Sequence, residues 1–144
     1  VSAAHARETV APPSDGDLDL SVTITVKVDP EWIEFLTKYS DIFGSPYYAG
    51  YWLFGVERDD ALGWLAYEHG DDRRPSDREC KRVVALWRAG EPLPERWFRL
   101  DRAAAIKAWG EAVKRYGVDW YEKADGAVYD VAVQMALLGE VRYG

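Results

Sequence analysis

Asp130 and Gln134 are the two polar side chains that ask most of their surroundings. They lie four residues apart inside the longest apolar run of the chain, within Asp125-Gly-Ala-Val-Tyr-Asp-Val-Ala-Val-Gln-Met-Ala-Leu-Leu138. At about 3.6 residues per turn, that spacing stacks them on one face of a helix. A carboxylate among apolar neighbours is costly to bury unless something answers it: an arginine, a tyrosine hydroxyl, backbone amides or a ligand. Two chemistries fit the pair. One is a buried polar tie between a helix and a sheet; the other is an acid on a pocket floor beside an amide that reads a ligand.

A second group is basic. Arg74, Arg78 and Arg82 recur every four residues around a predicted helix start, with Arg73 and Lys81 beside them and Arg96 and Arg99 in the next predicted strand. Forked guanidinium groups in that pattern suit phosphate or carboxylate. Asp71, Asp72, Asp77 and Glu79 are interleaved, however, so an internally paired, solvated face fits as well. A third group, Tyr47, Tyr48, Tyr51 and Trp52 around Gly50, offers rings on which bases could stack or which could simply pack a core.

Cys80 is the single cysteine, and His5 and His69 are the only histidines. That excludes an internal disulfide, a cysteine-based zinc cluster and a histidine-rich metal site. Lys81 and Arg78 beside Cys80 could lower its thiol pKa, but no histidine lies near it in sequence to serve as a base, so a nucleophile is not the expectation. Glycine-rich phosphate loops, G-x-S-x-G and H-E-x-x-H are all absent. The residues therefore assign no catalytic group, no metal and no cofactor.

The elements that must position these groups follow from periodicity and caps. Residues 1–19 are rich in Ala, Pro, Asp and Ser without a period, and read as a disordered tail. Leu20, Val22, Ile24, Val26 and Val28 alternate with polar residues, the pattern of a half-buried strand. Asp29-Pro30-Glu31 opens a helix that runs to near Gly44. Tyr47 to Val56 reads as an aromatic strand interrupted by Gly50 and Gly55, each marking a bulge or a close approach. A turn at Arg58-Asp-Asp60 leads to a returning strand, Ala61 to Glu68.

Ser76 with Glu79 forms a capping box for the next helix, stopped at Gly90. A short strand follows at Glu95–Leu100, and Asp101 caps a helix from Arg102 to Tyr116. Asp125 then caps the last helix and Gly139 stops it. In that helix Val128, Val131, Met135 and Leu138 form one stripe, with Val133 and Leu137 elsewhere around the barrel. A helix apolar nearly all round is expected to be buried. Strands early and helices late predict a single α+β domain over 20–144, with a small, mainly antiparallel sheet, three to four helices and the last helix buried.

Composition bounds the function. The 144 residues suffice for one domain with a real core. A formal net charge of −7 disfavours nucleic acid as a general ligand and an anionic membrane surface, and suits a basic protein partner. No apolar run approaches the roughly 20 residues needed to span a bilayer, and no secretory segment is evident, so a cytoplasmic setting is the expectation.

Two stretches carry a resemblance. Val22-Thr-Ile-Thr-Val-Lys-Val-Asp-Pro30, followed by a helix and Tyr48-Ala-Gly-Tyr-Trp52, resembles the opening of small uncharacterised proteins of bacteriophages and prophages. The ending Asp130-Val-Ala-Val-Gln-Met-Ala-Leu-Leu-Gly-Glu-Val-Arg-Tyr-Gly144 is similar to their C-terminal signature, as is Phe98-Arg-Leu-Asp-Arg102 leading into a helix. The Arg-rich middle departs from the pattern. The resemblance implies a phage-associated accessory protein, in the bacterial cytoplasm, and carries no residue roles.

The leading functional expectation is therefore a non-enzymatic protein that binds a protein partner, in counter-defence or host takeover. The alternatives are a small-molecule- or nucleotide-binding protein or enzyme with a pocket around Asp130 and Gln134, edged by the Tyr/Trp segment, and a virion or assembly component. The candidate contact residues are Asp130, Gln134, Tyr48, Tyr51, Trp52, Arg74, Arg78 and Arg82.

Overall fold

The computed structural model describes residues 4–10, 22–44, 48–70 and 73–144. Over these the chain is α+β. Strand β2 (Val22–Val28) leads into helix α1 (Pro30–Thr37) and strand β3 (Leu53–Asp59), then β4 (Gly63–Glu68) and α2 (Asp77–Arg88). Strand β5 (Trp97–Leu100) precedes α3 (Arg102–Tyr116), the single turn α4 (Trp120–Lys123) and α5 (Gly126–Leu138). Strands β3, β4 and β5 form one antiparallel sheet with β4 central.

The sequence reading is corrected at the N-terminus. Residues 4–10 were expected within a disordered tail, yet Ala4–Val10 forms strand β1, antiparallel to β2 in the register Ala4↔Val28 to Val10↔Val22. The physical reason is pairing: β2 offers an edge of backbone donors and acceptors, and β1 satisfies it through a ladder. The rest of the expected tail, 1–3 and 11–19, lies outside the described residues, as do Leu20, Ser45, Pro46, Tyr47, Asp71 and Asp72. Within β2 the predicted alternation holds where side chains are described: Val26 and Val28 are buried, Thr25 and Lys27 exposed.

The helix ends are set by side-chain oxygens. Asp29, Ser76, Asp101 and Asp125 each accept a hydrogen bond from a first-turn amide of α1, α2, α3 and α5 respectively, relieving donors that no intrahelical carbonyl can reach. At the other end of α2, the Arg99 guanidinium donates to the Trp87 carbonyl at 2.9 Å and to the Glu91 carbonyl at 2.5 Å. A cation placed there also complements the negative end of the helix dipole.

The three-stranded sheet separates two apolar layers. Leu65, Tyr67 and Trp97 face α2 and pack with Val83 and Trp87. Leu53, Ala66 and Leu100 face the larger core, built with α1, α3 and α5. That core is aromatic. Trp32 lies within 5.1 Å of Trp120, 5.3 Å of Tyr129 and 6.0 Å of Tyr121 between ring centroids, mostly edge to face, the arrangement ring quadrupoles favour. The Trp32 indole donates to the Ala105 carbonyl at 2.9 Å, joining α1 to α3.

Two further elements differ from the sequence reading. The helix opened by Asp29 ends at Thr37, and a 3-10 turn at Asp41–Phe43 follows. The predicted strand from Tyr47 begins only at Leu53, because Ala49–Tyr51 forms another 3-10 turn folded against the first. Gly50 makes that approach possible: a Cβ there would sit 2.1 Å from the Phe43 carbonyl oxygen. Gly55 marks the expected bulge, at the register shift between Gly55 and Glu57, where a Cβ would meet the Phe43 and Trp64 rings at 2.7 Å.

Candidate functional site

Helix α5 is packed into the core, but not through the stripe its periodicity suggested. Its buried positions are Asp130, Ala132, Val133, Gln134 and Ala136, whereas Val128, Val131, Met135 and Leu138 are only partly covered. Periodicity defines the faces of a helix and not which of them meets the core. Here small residues on the inner face let the backbone approach α3, and the two polar groups go inward with them.

What answers Asp130 is the third candidate group, the aromatic one. The Tyr51 hydroxyl donates to its Oδ2 at 2.5 Å, and the Trp52 indole N–H donates to its Oδ1 at 2.7 Å. Gln134 Nε2 adds a third bond to Oδ1 at 3.2 Å. The carboxylate is 7% exposed, with no cation among its described partners. Tyr51 feels this directly. Burial first, then its hydrogen bond to Asp130 and that residue's charge, hold its phenol well above the ordinary range, because ionising it would place a second anion beside the first.

Gln134 is fully buried and holds the end of the chain. Its Oε1 accepts from the backbone amides of Arg142 at 2.7 Å and Tyr143 at 2.9 Å. Its Nε2 donates to the Tyr143 carbonyl at 3.0 Å as well as to Asp130. A primary amide has two acceptor sites and two donors, and all four are used. The segment so held packs its Tyr143 ring on Trp52, with centroids 5.4 Å apart and planes within 11°.

The third layer is Glu68, at the end of β4 and 5% exposed. Its Oε2 accepts from Arg142 Nη1 at 2.9 Å and from the Tyr143 hydroxyl. Arg142 also reaches Glu140, at 3.1 Å. The Tyr143 phenol is raised by burial and then by Glu68. Next to Glu68, His69 places Nε2 3.1 Å from the Gly50 carbonyl, and the His69 and Gly70 amides donate to the Trp52 carbonyl. Asp130 and Gln134 thus stand at the centre of a network that joins α5, the 49–52 turn, β4 and residues 140–144.

Sequence reasoning singled out Asp130, Gln134, Tyr51 and Trp52 as two groups, joined only in the alternative of a ligand pocket; the fold bonds them directly to one another. Glu68, His69, Arg142 and Tyr143 were missed as members. Each partners a group more than seventy positions away or an unremarkable loop carbonyl, and nothing local marks them. Tyr48 belongs to the core edge, its ring 5.9 Å from that of Tyr129 and nearly parallel to it.

The arginines lie on the other side of the sheet. Arg74, Arg78 and Arg82 are exposed, and Arg74 covers the Phe54 ring at 4.9 Å. Neighbouring cations are spent on structure: Arg73 lies 3.8 Å from Glu79, Arg88 bridges Glu57 and Asp59, and Arg96 covers Tyr67 at 5.6 Å. The basic group and the Asp130 network therefore form no common site.

Cys80 is not activated by Lys81 and Arg78: burial, Asp77 and Glu79 push its thiol up. Among the described residues, no group of three or more His, Cys, Asp or Glu side chains converges to hold a metal ion. Among the described residues, no helix is long and apolar enough to cross a membrane.

The arrangement has a chemical consequence. A general base or a ligand-reading amide needs a lone pair or N–H free for a substrate; in this network Gln134 has none left, and Asp130 has three of its four acceptor sites taken. What the geometry does supply is rigidity: it fixes a terminal segment and an aromatic turn to a helix. Comparison with known proteins finds no matching family model, no matching curated protein and no matching solved structure.

Proposed function

We propose that the chain acts by binding a protein partner rather than by turning over a substrate, as a phage- or prophage-associated accessory factor. The observation that carries this reading is that the most pointed candidates for chemistry are already engaged: Gln134 at all its donors and acceptors, and Asp130 at both oxygens, by Tyr51, Trp52, Arg142, Tyr143 and each other. The negative charge supports a basic partner, and the phage-like pattern at residues 22–30 and 130–144 supports the setting.

One observation favours a second reading. A cavity of about 360 Å³ beside the start of α5 is lined in part by Tyr48, Tyr51 and Asp130, so a small ligand could sit on the outer edge of the network.

A thermal-shift series with nucleotides, run beside affinity capture from host lysate with mixing of the purified components, separates the two. The binding reading expects melting curves unmoved by nucleotides and a saturable complex with one captured protein. A shift of several degrees with a nucleotide, and no protein retained, would overturn it.

A further inference from the structure

A second concave site lies away from the Asp130 network, between the start of α1, α3 and the turn that leads into α4. It encloses about 450 Å³. Trp109 and Tyr121 form two of its walls, their ring centroids 5.3 Å apart and their planes inclined by 50°. Asp29, Asp119 and Glu122 stand around it. Val118, 65% exposed, lies at its edge.

Aromatic faces and carboxylates both attract cations, the first through the ring quadrupole and the second through charge-assisted hydrogen bonds. The same pocket contains Lys27, so its lining carries three carboxylates against one ammonium, a formal balance of −2. Lys123 lies 2.9 Å from Asp119 and competes for that carboxylate, but as an exposed pair it is easily exchanged. The field is nevertheless negative. The Tyr121 phenol is held well above the ordinary range, by burial first and then by Glu31, Tyr129 and Asp29.

The carboxylates do not converge as metal ligands would. They are spread around an aromatic corner, which suits a planar cation with several donors over a point charge. We infer that this pocket, walled by Trp109 and Tyr121 and ringed by Asp29, Asp119 and Glu122, receives an arginine side chain of the protein partner. The identity of the donor rests on the partner-binding reading above; the recognition itself can be measured without it.

The test is an NMR titration of the full chain with N-acetyl-arginine amide, with the neutral isostere N-acetyl-citrulline amide in parallel. The Trp109 indole N–H is the reporter, since it is buried and has no hydrogen-bond partner in the described structure. Saturable shifts of Trp109 and Tyr121 are expected with arginine and not with citrulline. Glu122→Gln and Asp119→Asn, both at exposed or half-exposed positions, should each weaken the arginine probe by up to about fivefold, and more when combined. Shifts that are absent, that citrulline reproduces, or that the double variant leaves unchanged would overturn the inference. If the arginine probe binds this corner and no protein partner is ever captured, the pocket stands and the partner-binding reading fails. If a partner binds and the probe does not, the reverse holds.

Discussion

Gln134→Leu is expected to lower stability by roughly 3 kcal/mol and to release residues 140–144. Leucine fills a similar space but has neither acceptor nor donor. The amides of Arg142 and Tyr143 and the Tyr143 carbonyl all lose their partner at once. Each buried polar group left unsatisfied costs about 1–3 kcal/mol, so the segment gains by turning out to water. Its departure removes the Tyr143 ring from Trp52 and strips the Glu68 carboxylate of the Arg142 and Tyr143 donors that engage it in the intact fold. That secondary loss is why the effect exceeds a single hydrogen bond. Against a net stability of roughly 5–15 kcal/mol it is a large share, and it corresponds to a melting-point drop on the order of 10 °C for a chain of this size. A melting curve with amide exchange at Arg142 and Tyr143 measures both parts. A variant that melts within about a degree of the parent, with those amides still protected, would show that the amide does not hold the terminus.

Gly50→Ala is expected to be comparably damaging for a different reason. The added methyl would lie 2.1 Å from the Phe43 carbonyl oxygen and 2.6 Å from its carbon. Both are backbone atoms, so no rotamer change relieves the clash; one of the two 3-10 turns must move. Overpacking of this kind costs about 1–3 kcal/mol and sometimes more. The turn that holds Gly50 also carries Tyr51 and leads into Trp52, the two residues outside α5 that answer Asp130, so a shift there disturbs both bonds. The variant should therefore lose the near-ultraviolet signal of its packed aromatics together with its denaturant midpoint. An unchanged midpoint would mean that the two turns separate without cost and that the approach at Gly50 is incidental.

The parts of this fold that are legible in sequence are those decided locally. Asp29, Ser76, Asp101 and Asp125 announce their helices because a cap needs only the amides two or three residues ahead. The need for something to answer Asp130 was equally legible, since it follows from the apolar run around it. Who answers was not: Tyr51 and Trp52 stand 79 and 78 positions away, and only the fold brings them there. Strand β1 escaped because a strand is completed by its partner, and its own residues show no period. The α5 stripe misled for the complementary reason. Val131 and Met135 look more like core than Ala132 and Ala136 do, yet close packing against α3 selects the small residues.

The central claim is that Asp130 and Gln134 hold the structure together and do not floor a catalytic pocket. The melting temperature of Asp130→Asn tests it most directly. Asparagine keeps the shape, and its remaining oxygen can still accept from Trp52. At the other position an N–H₂ now faces the Tyr51 hydroxyl, which must turn around, and charge-assisted bonds become neutral ones. The account predicts a lower melting temperature, by an amount equivalent to about 1–3 kcal/mol, with the binding activity of the folded protein retained. A carboxylate kept for function against its own preference for solvent would instead relax on replacement. A rise in melting temperature with loss of activity would contradict the account.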